Sequence, residues 1–359
     1  MTLAVNHLSS LLRRPAIALA FLLWLSGCQK APEGVRLSGP IFGTQWNLIY
    51  HSADQSITKK TVKDAVLEAL LVVDDSMNHY LPSSTLSKLN RLPAMEVMEV
   101  DWDFALVFNA ALDIYYATDG AYDPSVSPLI NLWGFGPDGV TRRPTDDEIA
   151  AVEAFVGLDE FVWDLSTRGF MKRGARATLD FSSIAKGYAV DMAADSLDDL
   201  GLENFMLEVG GEIQVRGISP RGDKWRLAVE RPTPGSRGQI FTAIEVNDIG
   251  VATSGDYRNF FEAGGRRFSH LIDPRTGYPI EHDLVSATVV HPSTMIADAW
   301  ATALMIVGTE EALRLADVYE LAVFLISRED EQLVSSYNGA MTQWLMEPEM
   351  EPELGGEKK

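Results

Sequence analysis

Asp298 and Thr302 stand four residues apart in the run Asp298-Ala299-Trp300-Ala301-Thr302. On a helix that spacing puts a carboxylate and a hydroxyl on one face, one turn apart. Hard oxygen donors of this kind suit magnesium, which keeps several waters and takes substrate phosphates as further ligands. An Asp early in a helix also stabilises the macrodipole with no metal present, so the pair alone leaves both roles open. A second group lies in residues 269–279, SHLIDPRTGYP, where His270 precedes Asp273-Pro274 and a turn at Thr276-Gly277. An imidazole in such a loop can act as a general base, and it can equally do no more than bond a backbone carbonyl. Residues 134–139, GFGPDG, match the letters of a dinucleotide fingerprint. That motif needs a helix to begin inside the loop, and Pro137 together with an N-cap at Thr145 forbids one. The chain carries neither a P-loop nor a nucleophile elbow.

Helices and strands must bring these groups together. Phe42 to His51 reads as a strand, and Thr61 to Met77 as a helix with Val62, Ala65, Val66, Ala69, Leu70 and Val73 on one side. Phe104 to Asp119 reads as a second helix, stopped by Gly120. Thr145, followed by Asp146, Asp147 and Glu148, caps a helix running to Phe155. Ala177 to Phe181 reads as a strand and Ile184 to Leu200 as a helix ending at Gly201. Strands at Phe205–Val209 and Ile213–Arg216 flank Gly210-Gly211. A strand over Leu284–His291 precedes a helix from about Met295 to Val307, the one that carries Asp298 and Thr302. Strands and helices mix without strict βαβ alternation, which predicts an α+β fold of mixed sheets and packed helices.

The chain's 359 residues are 46% hydrophobic and 23% charged, sufficient for a core of one large domain or two close lobes. Lys+Arg 30 against Asp+Glu 51 gives a formal charge of −21, which repels a phosphate backbone and excludes nucleic acid as a partner. A bound phosphate must therefore meet backbone N–H groups, a local Lys or Arg, or a metal ion. Arg13 and Arg14, an apolar run from Ala16 to Leu25, and Leu25-Ser26-Gly27-Cys28 have the form of a bacterial lipoprotein signal. The expected organisation is a signal peptide over 1–27, a tether over 28–39 lipidated at Cys28, a catalytic domain over 40–346 and an acidic disordered tail over 347–359. Cys28 is the only cysteine, so it forms no intramolecular disulfide and its acylation is the membrane attachment to expect. The protein would then face the periplasm from the cell envelope. Gln29, in place of the Asp associated with inner-membrane retention, leans toward the outer membrane.

Eight blocks follow one another along the chain: GTQW at 43–46, YLPSSTLSKLN at 80–90, GAYDPSVSPLINLWGFG at 120–136, LDFSSIAKGYAVD at 179–191, GGEIQVRG at 210–217, ATSGDY at 252–257, SHLIDPRTGYP at 269–279 and ADAWATAL at 297–304. In that order they resemble the ApbE-like FAD:protein FMN transferases, which attach FMN covalently to Thr or Ser of respiratory flavoproteins. The resemblance implies that fold and three magnesium ligands: the side chains of Asp298 and Thr302 and a backbone carbonyl near Ser183. FAD phosphates and water would complete the Mg2+ shell. It places Phe42, Tyr80, Ala121, Tyr122, Asp123, Asp180, Lys186 and Ile272 around the flavin nucleotide. Tyr80 and Tyr122 offer flat faces for stacking, Lys186 near a helix N-terminus can meet a diphosphate, and Gly210-Gly211 lets backbone approach closely.

The reaction so implied is attack by an acceptor hydroxyl on the FMN-side phosphorus with AMP leaving, His270 taking the proton or stabilising the phosphate. The acceptors would be flavoprotein subunits of membrane respiratory complexes. A metal-dependent FAD diphosphatase and a flavin-binding lipoprotein without chemistry are the alternatives. Three departures from the family pattern stand out. Phe42 occupies a position that is often Met, and Glu208 precedes the Gly pair where a neutral amide is common. Asp298 is the only acid between Leu284 and Gly308, so this helix offers a metal no second carboxylate.

Overall fold

A computed structural model describes residues 34–136, 142–233, 235, 238–257, 260–263, 265–330 and 332–346. Cys28, the leader and the acidic tail lie outside the described residues, as do residues 137–139 of the GFGPDG stretch and the two residues after it. The organising element is an eight-stranded antiparallel sheet. Its strands are β1 (Val35–Ile41), β2 (Thr44–Tyr50), β3 (Phe205–Val209), β4 (Glu212–Arg216), β5 (Ile249–Gly255), β6 (Leu284–His291), β7 (Ala322–Glu329) and β8 (Gln332–Tyr337). They lie side by side in chain order, and every neighbouring pair is antiparallel. Helices α1 (Lys59–Met77), α2 (Trp102–Ala117), α3 (Ala185–Asp199) and α4 (Thr294–Val307) lie between strands in sequence. Their buried residues share one core with the sheet.

The opposite face is covered by a hairpin, Trp225–Glu230 paired with Ile240–Val246. Strand β7 shows the double coverage residue by residue. Val323 and Leu325 join the helical core, while Ala322, Phe324 and Ile326 join the hairpin's core. A sheet covered on both faces selects continuous apolar runs instead of alternation, hence Leu284–Val290 and Ala322–Ser327, buried throughout. A third small core of Leu129, Trp133, Ile149, Phe268 and Ile272 lies under the loop that carries His270. The mixed α+β class is as expected.

The helix starts agree with their caps. Thr58, Asp101, Thr145 and Ser293 each accept a bond from a first-turn N–H, and Thr145 with Glu148 forms a full capping box. Three expectations need correcting. Phe42–His51 is not one strand, because Phe42 and Gly43 take positive φ (50° and 71°) and turn the chain between β1 and β2. Val35–Gly39, expected in the tether, belong to β1, with Val35 and Leu37 packed on the core. Ala177–Phe181 joins no ladder. Its backbone is served by Asn90, which bonds both Leu179 C=O and Leu179 N–H at 2.8 Å, and by Pro124 C=O, which accepts from Asp180 N–H at 2.7 Å.

Candidate active site

The approach to α3 brings the first group. Asp180 accepts from Ser182 N–H at 2.8 Å, and the Ser183 hydroxyl lies 3.1 Å from the Tyr122 hydroxyl. Helix α3 begins with no side-chain cap of its own. Its cap comes from α4: Asp298 Oδ2 accepts the Gly187 N–H at 3.0 Å and lies 3.4 Å from Lys186 Nζ. The service is returned by Asp191 of α3, which accepts from Ser293 Oγ at 2.7 Å, Thr294 N–H at 2.8 Å and Met295 N–H at 3.0 Å. Gly187 permits the close crossing, since a Cβ there would lie 2.4 Å from the Thr294 carbonyl oxygen. The 179–191 block is thus a device that fixes where α4 presents Asp298 and Thr302.

The β3–β4 turn supplies the facing wall. Gly210 and Gly211 take positive φ (64° and 117°), and Glu208 steadies the turn by accepting from Gly211 N–H at 2.7 Å and from Asn47 Nδ2 at 2.6 Å. Glu212, the next residue, is 4% exposed. Its Oε1 lies 3.3 Å from Lys186 Nζ, and its Oε2 is buried without a hydrogen-bond partner among the described residues. Lys186 Nζ also donates to the Ser182 carbonyl at 2.9 Å.

Around these groups opens a cleft of about 640 Å³, a size suited to a small-molecule ligand. Ala121, Tyr122, Asp123, Asp180, Ser183, Lys186, His270, Ile272, Asp298 and Thr302 all line it. Two expected residues do not. Phe42 sits in the β1–β2 turn and packs on the helical core, and Tyr80, 70% exposed, packs its ring on His79, which pairs with the cleft residue Asp180. Sequence reasoning missed Glu212 and the hydroxyl pair Thr253–Thr288, 2.8 Å apart, both lining the cleft. The signal was present in β4, where Glu212 and Gln214 put polar groups at buried positions two residues apart.

Burial governs the charges. It pushes the Asp123 carboxyl up to about 6 against the opposing Ser125 N–H bond, and it raises the Tyr122 hydroxyl. Burial and the nearby Asp298 raise the Glu212 carboxyl against the pull of Lys186, and burial likewise raises Asp298. Burial works against the Lys186 charge, but Asp298 and Glu212 outweigh it and hold the ammonium above its usual range. Two carboxylates thus share one ammonium. Among the described residues the Thr302 hydroxyl and Asp298 Oδ1 make no hydrogen bond, and no three His, Cys, Asp or Glu residues cluster as a protein-only metal cage. Few protein donors, hard oxygens and open positions fit magnesium held jointly with a phosphate ligand.

The antiparallel sheet and packed helices that carry this cleft are shared with solved flavin transferases known as ApbE. The model of the ApbE family matches residues 42–325, and the chain belongs to that family. It is 40% identical over 321 residues to the FAD:protein FMN transferase of Vibrio cholerae, covering 89% of this chain and 95% of that protein. The Haemophilus influenzae FAD:protein FMN transferase is 39% identical over 330 residues, 90% of this chain and 95% of that protein. The solved flavin transferase ApbE from Vibrio cholerae superposes with a TM-score of 0.80 at 36% identity, covering 88% of this chain and all of that one. The apo flavinyl transferase ApbE of Pseudomonas stutzeri gives 0.79 at 36% identity, covering 88% and 97%.

Proposed function

We propose that this enzyme moves FMN from FAD to a Thr or Ser hydroxyl of an acceptor flavoprotein with Mg2+ bound, releasing AMP. The observation that carries the reading is the meeting of Asp298 and Thr302 with Ser183 and Lys186 in one cleft, in a chain so similar to FAD:protein FMN transferases. Asp298, Thr302 and the Ser183 carbonyl would hold the magnesium, whose charge would neutralise the diphosphate. Lys186 meets the diphosphate from the N-terminal turn of α3, where the helix dipole also favours an anion. Tyr122 and Ile272 offer apolar surface for the flavin nucleotide, and the cleft walls orient it for in-line attack. The acceptor oxygen bonds to the FMN-side phosphorus, the bridging P–O bond breaks with its electron pair leaving on AMP, and His270 takes the hydroxyl proton. Such chemistry relies on positioning and charge neutralisation more than on a covalent intermediate. We place the enzyme on the periplasmic side of the envelope through acylation of Cys28, acting on flavoprotein subunits of membrane complexes.

Product analysis tests the reaction: in-gel flavin fluorescence of the acceptor, with FMN and AMP measured in solution. Labelled acceptor plus AMP supports transfer. Free FMN plus AMP makes the protein a diphosphatase, and intact FAD makes it a carrier. Asp298→Asn is expected to lose metal-dependent transfer. His270→Ala is expected to bind FAD with near-normal affinity, yet transfer about 10²–10⁴-fold more slowly, the usual contribution of a general base.

A further inference from the structure

We infer that Glu212 supplies the cation site with the second carboxylate that α4 lacks. Helix α4 offers a metal only Asp298 and Thr302. Glu212 comes from the opposite wall, at the first position of β4, and lines the same cleft. It is 4% exposed, and its Oε2 has no hydrogen-bond partner among the described residues. A buried carboxylate oxygen left in that state costs free energy unless a ligand completes it. The other oxygen and Asp298 Oδ2 lie 3.3 and 3.4 Å from the same Lys186 Nζ, close enough to each other for one hydrated divalent cation to reach both. Magnesium keeps several of its waters, so Glu212 acts through a coordinated water as an outer-sphere partner, with Asp298 bound directly. Gly210 matches this role. A Cβ built there would come 3.6 Å from Glu212 Oε2 and 3.5 Å from Lys186 Cδ, so the glycine keeps that side of the carboxylate open.

The inference rests on the reading of the cleft as a divalent-cation site, and its test separates the two. Mn2+ binding to the full chain with FAD present and no acceptor is measured by electron paramagnetic resonance, with folding checked by circular dichroism. Glu212→Gln is expected to weaken Mn2+ affinity about 10–100-fold, the usual effect of removing an outer-shell partner, and Glu212→Asp, which keeps the charge, to restore most of it. Asp298→Asn is expected to abolish binding. Wild-type affinity in Glu212→Gln alongside lost binding in Asp298→Asn overturns the role of Glu212 and leaves the cation site standing. Wild-type affinity in Asp298→Asn overturns the cation site itself. If Glu212→Gln does not fold, Glu212→Ala takes its place: weakened Mn2+ affinity supports the water-mediated role, and wild-type affinity overturns it.

Discussion

Asp123 is the residue whose burial has the plainest measurable consequence. Its carboxyl is 7% exposed and pushed up to about 6 from an ordinary carboxylate value. In the unfolded chain it ionises near 3.8, so between those values the folded state binds the extra proton. Stability from this group is fully present below the unfolded value and is lost as pH rises through about 6. Asp123→Asn keeps an oxygen for the Ser125 N–H and removes the buried charge. It is therefore expected to raise the melting temperature above wild type at pH 8, with the gap closing by about pH 4. An equal gap at both pH values would show that the carboxyl stays ionised in the fold. Residues of this kind were legible because the 120–136 block could be matched letter by letter. Tyr80, matched in the same way, stands 70% exposed against His79, which pairs with the cleft residue Asp180. Glu212 went unread because one Glu after a Gly pair looks like a solvent-facing strand residue until the sheet is known to be covered on both faces.

Between elements, the decisive contact is the crossing of α3 and α4. Asp298 of α4 caps α3 from outside, so the N-terminus of α3 cannot be understood from its own residues. That explains why Thr145 and the acids after it mark a helix start in the sequence, while α3 shows no cap of its own. The same crossing makes a sharp prediction. A methyl group at residue 187 would meet backbone atoms of Thr294 and Met295 at 2.4 and 2.7 Å, and backbone cannot rotate away as a side chain can. Gly187→Ala is expected to lower stability by about 1–3 kcal/mol, the usual range for overpacking. It should also weaken Mn2+ binding, because α4 must shift carrying Asp298. Urea unfolding read alongside metal titration checks both, and unchanged values in each would mean that the helices separate freely. The strand misread at Ala177–Phe181 has its cause at this scale too. Its apolar alternation is real, but Asn90 and Pro124 satisfy its backbone before any strand can pair with it.

At the scale of the whole molecule, none of the helices among the described residues is long and apolar enough to cross a membrane; the attachment we propose is through Cys28. Cys28→Ala is expected to move the protein from the membrane fraction to the soluble fraction after a high-salt wash. Persistence in the membrane fraction would end the lipoprotein reading. The formal charge of −21 opposes adhesion to anionic lipid, which sharpens that contrast. The order of the sheet has a different consequence. Because neighbouring strands follow one another along the chain, most pairings need only the strand just made. The exception is β2 with β3, which must await residues 51–204. The entropy of closing so long a loop grows only slowly with its length, by about 0.6 kcal/mol per doubling, so the delay is one of time more than of stability. A chain emerging N-terminus first therefore lays down the sheet's edge hairpin early and acquires Glu212 and then α4 late. In our reading the cleft lacks one of its metal ligands until Thr302 has appeared, so a chain interrupted in synthesis before that residue would carry an incomplete site.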